Sequence, residues 1–325
     1  MISSNWIRRN WFLLGLVLAV LLAWVFPNGG SGGGGLPIGG LVNGGVILIF
    51  LLQGLTLASE QVWQGLVRWR LHLLIQIFIF GITPLVAIGL TVAAGRLLPP
   101  DLAIGFVFLG ALPTTISSAL VFTTLAGGNV TLALVNTTLS NLGGILLTPL
   151  WVSAFAQVQG THFSLGPVIL KIALLILLPL CLGQILRRRL HQWADRRRKQ
   201  FGTVSSLIVL FIVYTSFCES VVSGFWGQTG AGVTLGATGL VVLYFACVMI
   251  LVLGAVRFFG VPIPDSPAVV FCGSHKTLAA GVPMAKLIFA AHPGLGLILL
   301  PIMLYHPLQL IVGGVLIGRF QRMRG

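Results

Sequence analysis

The stretch that decides the fold is Ser266-Pro-Ala-Val-Val-Phe-Cys-Gly-Ser-His-Lys-Thr-Leu-Ala-Ala-Gly-Val-Pro-Met-Ala285. Its two flanks are apolar and together long enough to cross a bilayer. Its middle holds His275 and Lys276 among Gly273, Ser274 and Thr277. A lysine at the centre of a membrane helix costs about 2.5 kcal/mol or more even on the lenient insertion scale. An ionisable residue at that depth is a functional-site candidate by default. The small polar neighbours let the backbone unwind and satisfy the groups that unwinding frees. The stretch reads as an interrupted membrane helix that carries a cation at mid-depth.

The rest of the chain supplies the membrane context. Its 325 residues are 57% hydrophobic and 7% charged, and the mean hydropathy is +1.04. A chain this apolar is a polytopic helical membrane protein. About ten spans can be marked, near 11–26, 38–58, 73–94, 102–126, 130–155, 167–186, 203–221, 233–254, 266–289 and 296–318. The connections are short, which predicts a single membrane domain with no soluble domain. Arg8 and Arg9 precede the first apolar run as in a signal peptide, but no small-residue cleavage site follows, so the run reads as a retained span. Cys181, Cys218, Cys247 and Cys272 fall on different spans without paired spacing and read as packing residues.

The net charge of +14 does not point to nucleic acid, because no basic stripe with interleaved aromatics exists. The basic residues sit between spans instead. With the N-terminus inside, fifteen of the nineteen Lys and Arg fall on the inner side, most densely across Arg187–Lys199, and Arg96 alone falls outside. The positive-inside rule then puts both termini in the cytoplasm of a plasma membrane, or of the inner membrane in a bacterium. Three lysines remain within spans. Lys171 and Lys286 lie near outer ends and can snorkel; Lys276 is too deep.

Five spans precede the outer loop at 157–167 and five follow it. An odd number per half makes equivalent halves insert in opposite senses, so residues 1–156 and 167–325 are expected to form inverted five-helix repeats. Span four opens Pro99-Pro-Asp101 and span nine opens Pro264-Asp265, where either aspartate can cap a helix. Each span is then interrupted, span four at Leu112-Pro-Thr-Thr-Ile-Ser-Ser118 and span nine at Cys272-Gly-Ser-His-Lys-Thr277. Interrupted spans in corresponding positions point to a midplane binding site.

Unwound helix ends offer amides to anions and carbonyls to cations. The first break adds the hydroxyls of Thr114, Thr115, Ser117 and Ser118. Span five adds Asn136, Thr137, Thr138, Ser140 and Asn141, with Asn136 over Ser140 and Thr137 over Asn141. Gln76 on span three is a further polar candidate. Three readings of Lys276 stand side by side. It faces an anionic substrate, it pairs with Glu219, the one acidic residue well inside a span, or it supplies a fixed or proton-linked positive charge where a metal cation would otherwise sit. His275 is open between proton-linked work and a packing hydrogen bond. No metal-ligand cluster, paired carboxylates, nucleophile motif or nucleotide-binding motif is present, which excludes the common enzyme classes and ATP-driven transport by this chain alone.

At these breaks the sequence resembles the bile acid:sodium symporter family, solute carrier family ten. The resemblance covers nearly the whole chain and is best at Phe50-Leu-Leu-Gln-Gly-Leu-Thr-Leu57, Leu112–Leu142 and Phe271–Met284, with Gly127-Gly-Asn-Val-Thr-Leu132 as the turn between helices four and five. The Cys-Gly-Ser-His-Lys-Thr-Leu version of helix nine is similar to a divergent branch holding the vertebrate seventh member and bacterial relatives. The resemblance implies ten helices in two inverted repeats, arranged as panel and core domains, with helices four and nine crossing at their breaks. It places Ser117, Ser118 and Thr137 among the ligands of two sodium ions. Ala133 stands where the better-studied branch has a serine. Phe271-Cys272 stands where that branch has a glutamate serving both sodium sites, His275 lies near a glutamine ligand, and Lys276 can fill the space and charge of a lost ion. The missing carboxylate argues against ordinary two-sodium coupling.

The expectation is a secondary transporter of a small organic anion, working by alternating access in the lipid bilayer. Sodium or a proton is the coupling ion to consider, and no other cofactor is implied. Lys276, His275, Ser274, Thr277, Asn141 and Glu219 are the substrate-site candidates. Ser117, Ser118, Thr137, Asn136 and Gln76 are the ion-site candidates. The competing expectation is a non-transporting membrane regulator that keeps the fold and binds a ligand.

Overall fold

A computed structural model of the chain describes residues 4–31, 37–57, 68–158, 165–222, 231–289 and 292–323. These residues are almost entirely helical, with no strand among them. The main helices are α1 (Ser4–Val25), α2 (Ile38–Thr56), α3 (Trp69–Ala94), α4 (Pro100–Ala111), α5 (Ile116–Leu125), α6 (Val130–Val158), α7 (Leu165–Ile172), α8 (Leu178–Arg196), α9 (Arg198–Val222), α10 (Ala231–Phe258), α11 (Ser266–Ser274), α12 (Leu278–Ile288) and α13 (Leu295–Arg322). Each of the ten apolar segments is helical. Seven helices are long and apolar enough to cross a membrane, and α4 with α5, bent by 52° at their break, makes an eighth.

Four features of the sequence interrupt this helical run. Pro113 forces Leu112 into an extended conformation (φ −65°, ψ 146°), which ends α4. His275 is extended too (φ −82°, ψ 144°) and ends α11 without a proline. Inside α3 the turn Phe78–Ile82 is π-helical, just ahead of Thr83 and Pro84. A similar turn, Ala173–Leu177, joins α7 to α8 ahead of Pro179. Proline removes one backbone donor, and the wider turn absorbs the mismatch.

The basic run Arg187–Lys199, between spans six and seven, is itself helical: α8 continues through it to Arg196, and α9 begins at Arg198. The expected aspartate caps do not form. Pro99 takes the cap position of α4, and Asp265 flanks α11 without capping it. Asp265 is instead bound by Arg68 and by Asn129 Nδ2, because a buried carboxylate gains more from a guanidinium than from an orphan amide.

The chain divides into two compact units. The first comprises Met1–Leu57, Gly166–Gly230 and Val282–Leu299; the second comprises Ala58–Leu165, Ala231–Gly281 and Leu300–Gly325. In the first, α2 and α8 meet through glycines. A Cβ on Gly54 would lie 2.3 Å from the Leu180 carbonyl, and one on Gly183 would lie 2.4 Å from that of Leu51. Gln184 and Arg187 donate to the last carbonyls of α2 and its following residue. The second unit holds both helix breaks.

Candidate functional site

The site is built from backbone first. In the π turn the Thr83 N–H reaches back to the Phe78 carbonyl. Pro84 has no N–H to offer, so the carbonyls of Ile79 and Phe80 are released from the helix ladder. Trp151 Nε1 takes the Phe80 oxygen at 2.8 Å. The Ile79 oxygen is left to accept from the Thr83 hydroxyl at 2.7 Å and from Lys276. The end of α4 releases a second set. Gly110 O lies 2.9 Å from Thr83 Oγ1 and competes with Ile79 O for its one hydrogen, Ala111 O accepts from Thr148 at 2.8 Å, and Thr114 O from Asn141 Nδ2 at 2.9 Å. The two breaks touch directly, Thr277 N–H donating to Pro113 O at 3.0 Å.

Lys276 closes this structure. Its side chain is fully buried. Nζ lies 3.0 Å from Ile79 O, 2.8 Å from Thr83 Oγ1, 2.7 Å from Gly110 O and 2.8 Å from Leu112 O. Three carbonyls and a hydroxyl surround a group with three N–H donors, so each hydrogen of the ammonium has an acceptor. Every one of these partners is a neutral oxygen, and neutral oxygens in a ring are how a protein replaces the hydration shell of a monovalent cation. Gly110 makes the shell possible: a Cβ there would meet Ala87 Cβ at 2.8 Å and Thr83 O at 2.9 Å. The backbone of Lys276 is clamped as well. Its N–H donates to Gln309 Oε1 at 2.7 Å, and its carbonyl accepts from Gln309 Nε2 at 3.0 Å. Tyr305 donates to the Ser274 carbonyl one turn away.

The structure places the other candidates as follows. His275 is fully buried, its ring packed edgewise against Phe122 and tilted against Phe271. Its Nδ1 meets Ser118 Oγ at 3.3 Å, and its Nε2 has no partner. Thr277 accepts from Ala280 N–H at 3.3 Å and so caps α12. The Ser274 hydroxyl turns back to Val270 O at 2.7 Å and faces away from the break. Asn141 ties α6 to the first break. Thr137 is spent on Leu134 O at 2.9 Å, and Ser117 is exposed. Asn136 and Gln76 form a separate cluster with His72: Gln76 Nε2 donates to Asn136 Oδ1 at 3.1 Å, and Asn136 Nδ2 meets His72 Nδ1 at 2.8 Å. The pairing of Lys276 with Glu219 is overturned. Glu219 belongs to the first unit and binds Lys286. Thr83, Gln309 and Tyr305 are site residues that the sequence reading missed. Thr83-Pro84 inside an apolar run was the available signal for the first of them. Among the described residues no cluster of three His, Cys, Asp or Glu could hold a metal ion.

Two interrupted helices meeting around a buried lysine, in a chain of apolar helices, are the arrangement expected of a membrane transporter. Sequence comparison agrees: the model of the SBF-like CPA transporter family matches residues 10–322, and the chain belongs to that family. Over 313 residues it is 37% identical to an uncharacterized protein of Pseudomonas aeruginosa, covering 96% of this chain and 93% of the relative. It is 35% identical over 312 residues to the putative symporter YfeH of Escherichia coli, with 96% and 92% covered. It is 32% identical over 321 residues to sodium/bile acid cotransporter 7 of Rattus norvegicus, again with 96% and 92% covered. The chain is thus a multi-pass membrane protein of a transporter family and not an enzyme.

Proposed function

We propose that this chain is a secondary active transporter of a small organic anion that works by alternating access and carries its own monovalent cation, the Lys276 ammonium. The observation that carries the reading is the shell of four neutral oxygens around Lys276 Nζ where the two helix breaks meet. That shell has the chemistry of a sodium or potassium site, and a tethered ammonium fills it. Relatives named symporter and cotransporter support transport coupled to an ion. In this chain the tethered charge does what a dissociable ion would otherwise do at that point, so transport does not require sodium there. With its nitrogen fully engaged, Lys276 supports the site from behind. The anion meets the amides at the start of α5, where the N-cap Thr115 makes no side-chain cap bond, beside exposed Ser117 and half-buried Ser118.

The division into units supports the inverted repeat. Apart from residues 282–299, the first unit takes segments one and two with six and seven, and the second takes three to five with eight to ten. A five-segment repeat makes these the matching positions of the two halves. On this reading there are ten spans, the units are the panel and core domains, and both termini face the cytoplasm of a plasma membrane.

Purified protein in liposomes, loaded against a panel of organic anions under a sodium gradient, a proton gradient or neither, tests the proposal. The expected result is uptake of at least one anion that persists when choline replaces sodium. Binding without flux under every gradient would favour the regulator, and flux that vanishes without sodium would remove Lys276 from its role.

A further inference from the structure

A groove of about 770 Å³ opens on the second unit where α3 begins. Leu73, Leu74 and Ile77 of α3 form one wall, and Phe259, in the turn after α10, faces them. The apolar surface continues outward: Leu73 is 52% exposed, Ile77 48% and Phe259 62%. In a membrane protein such a surface is covered by acyl chains. Arg68 and Arg70 stand at the mouth. The Arg70 guanidinium lies 5.5 Å from the centre of the Trp69 ring, and Trp69 is 60% exposed, as a tryptophan at the membrane–water interface is. Arg68 is bound through Nη1 to Asp265, which is nearly fully buried. That carboxylate neutralises one arginine, and the mouth keeps a net positive charge.

An apolar slot that ends at an unneutralised guanidinium matches both halves of one molecule. We infer that this groove binds an anionic phospholipid, its phosphodiester on Arg70 and the free edge of Arg68, and one acyl chain along Leu73, Leu74 and Ile77. A soluble phosphate would engage the arginines and leave the wall unused. A zwitterionic lipid would use the wall and bring no net charge to the mouth. Asp265 precedes α11, so the headgroup sits one ion pair from the half-helix that leads to Lys276.

The test is native mass spectrometry of the full chain in a neutral detergent. Phosphatidylglycerol, phosphatidylcholine and glycerol 3-phosphate are titrated separately, with melting midpoints recorded in parallel. Phosphatidylglycerol is expected to stay bound and raise the midpoint, and the other two to do neither. Arg70→Gln is expected to weaken phosphatidylglycerol about fivefold, the worth of one basic residue beside an anionic headgroup. Ile77→Trp, which fills the slot and spares the arginines, is expected to weaken it as well. Arg322→Gln removes the same charge at the end of α13, outside the groove, and is expected to change nothing. Arg70 enters no ion pair among the described residues, so its variant folds as the parent does. Equal weakening by Arg70→Gln and Arg322→Gln would reduce the effect to general surface charge. Phosphatidylcholine binding as tightly as phosphatidylglycerol would reduce it to an apolar slot. Either result overturns the inference.

Discussion

Lys276 is costly to bury and costly to remove. Its shell of oxygens exists only because the backbone around it is broken, and no other donor reaches Gly110 O and Leu112 O together. Lys276→Met keeps most of the volume but leaves Leu112 O without a donor and leaves Ile79 O and Gly110 O to share the single Thr83 hydroxyl hydrogen. At about 1–3 kcal/mol for each unsatisfied buried group, the variant is expected to melt well below the parent, which differential scanning fluorimetry in detergent would read. Lys276→Arg is not conservative here, since a planar fork cannot point its donors at a compact ring of oxygens. Gln309 is a second sensitive residue. It donates and accepts across one peptide unit, which only an amide can do, so Gln309→Glu should also lower the melting midpoint by setting a carboxylate against the Lys276 carbonyl. A midpoint unchanged in either variant would mean that the shell or the clamp contributes little. His275 stands apart from both, its Nε2 buried without a partner beside Phe122.

At the scale of elements, the site depends on three helices being imperfect in register with one another: the π turn of α3, the end of α4 and the end of α11. Pro84→Ala returns a donor to α3 and lets it reclaim the carbonyls now held by Lys276 and Trp151. The expected outcome is unchanged helix content by circular dichroism and loss of anion uptake. Gly110→Val drives a side chain into Ala87 and Pro84 and should cost about 1–3 kcal/mol by overpacking. How much of this was legible follows from the same elements. Pro113 and the Gly-Ser-His-Lys-Thr run announced both breaks, because proline and polar residues within apolar spans have few other uses. The oxygens that hold Lys276 did not show, because three of the four belong to the backbone and carry no side-chain signature. Thr83-Pro84 is inconspicuous inside an otherwise apolar span. Glu219 does not pair with Lys276 because Lys286, in the same unit as the carboxylate, binds it.

For the whole molecule, the proposed alternating access would need two bodies that move, and the chain divides into two compact units. The chain passes between them inside α12 and α13, next to Pro283 and Pro301, where each helix lacks a hydrogen bond and can bend. On the proposed reading, the Lys276 ammonium holds the broken helices of the second unit together as a charge that cannot leave. A dissociable ion would make the affinity of this unit depend on the salt outside; a tethered ammonium removes that dependence. The most direct measurement is the melting midpoint of the parent and of Lys276→Ala, each in sodium chloride, choline chloride and n-propylammonium chloride, the last replacing the atoms that the substitution deletes. The account predicts a parent midpoint indifferent to all three, and a variant stabilised by propylammonium and by sodium over choline. A parent that responds to sodium as the variant does, or a variant that no small cation restores, would contradict it.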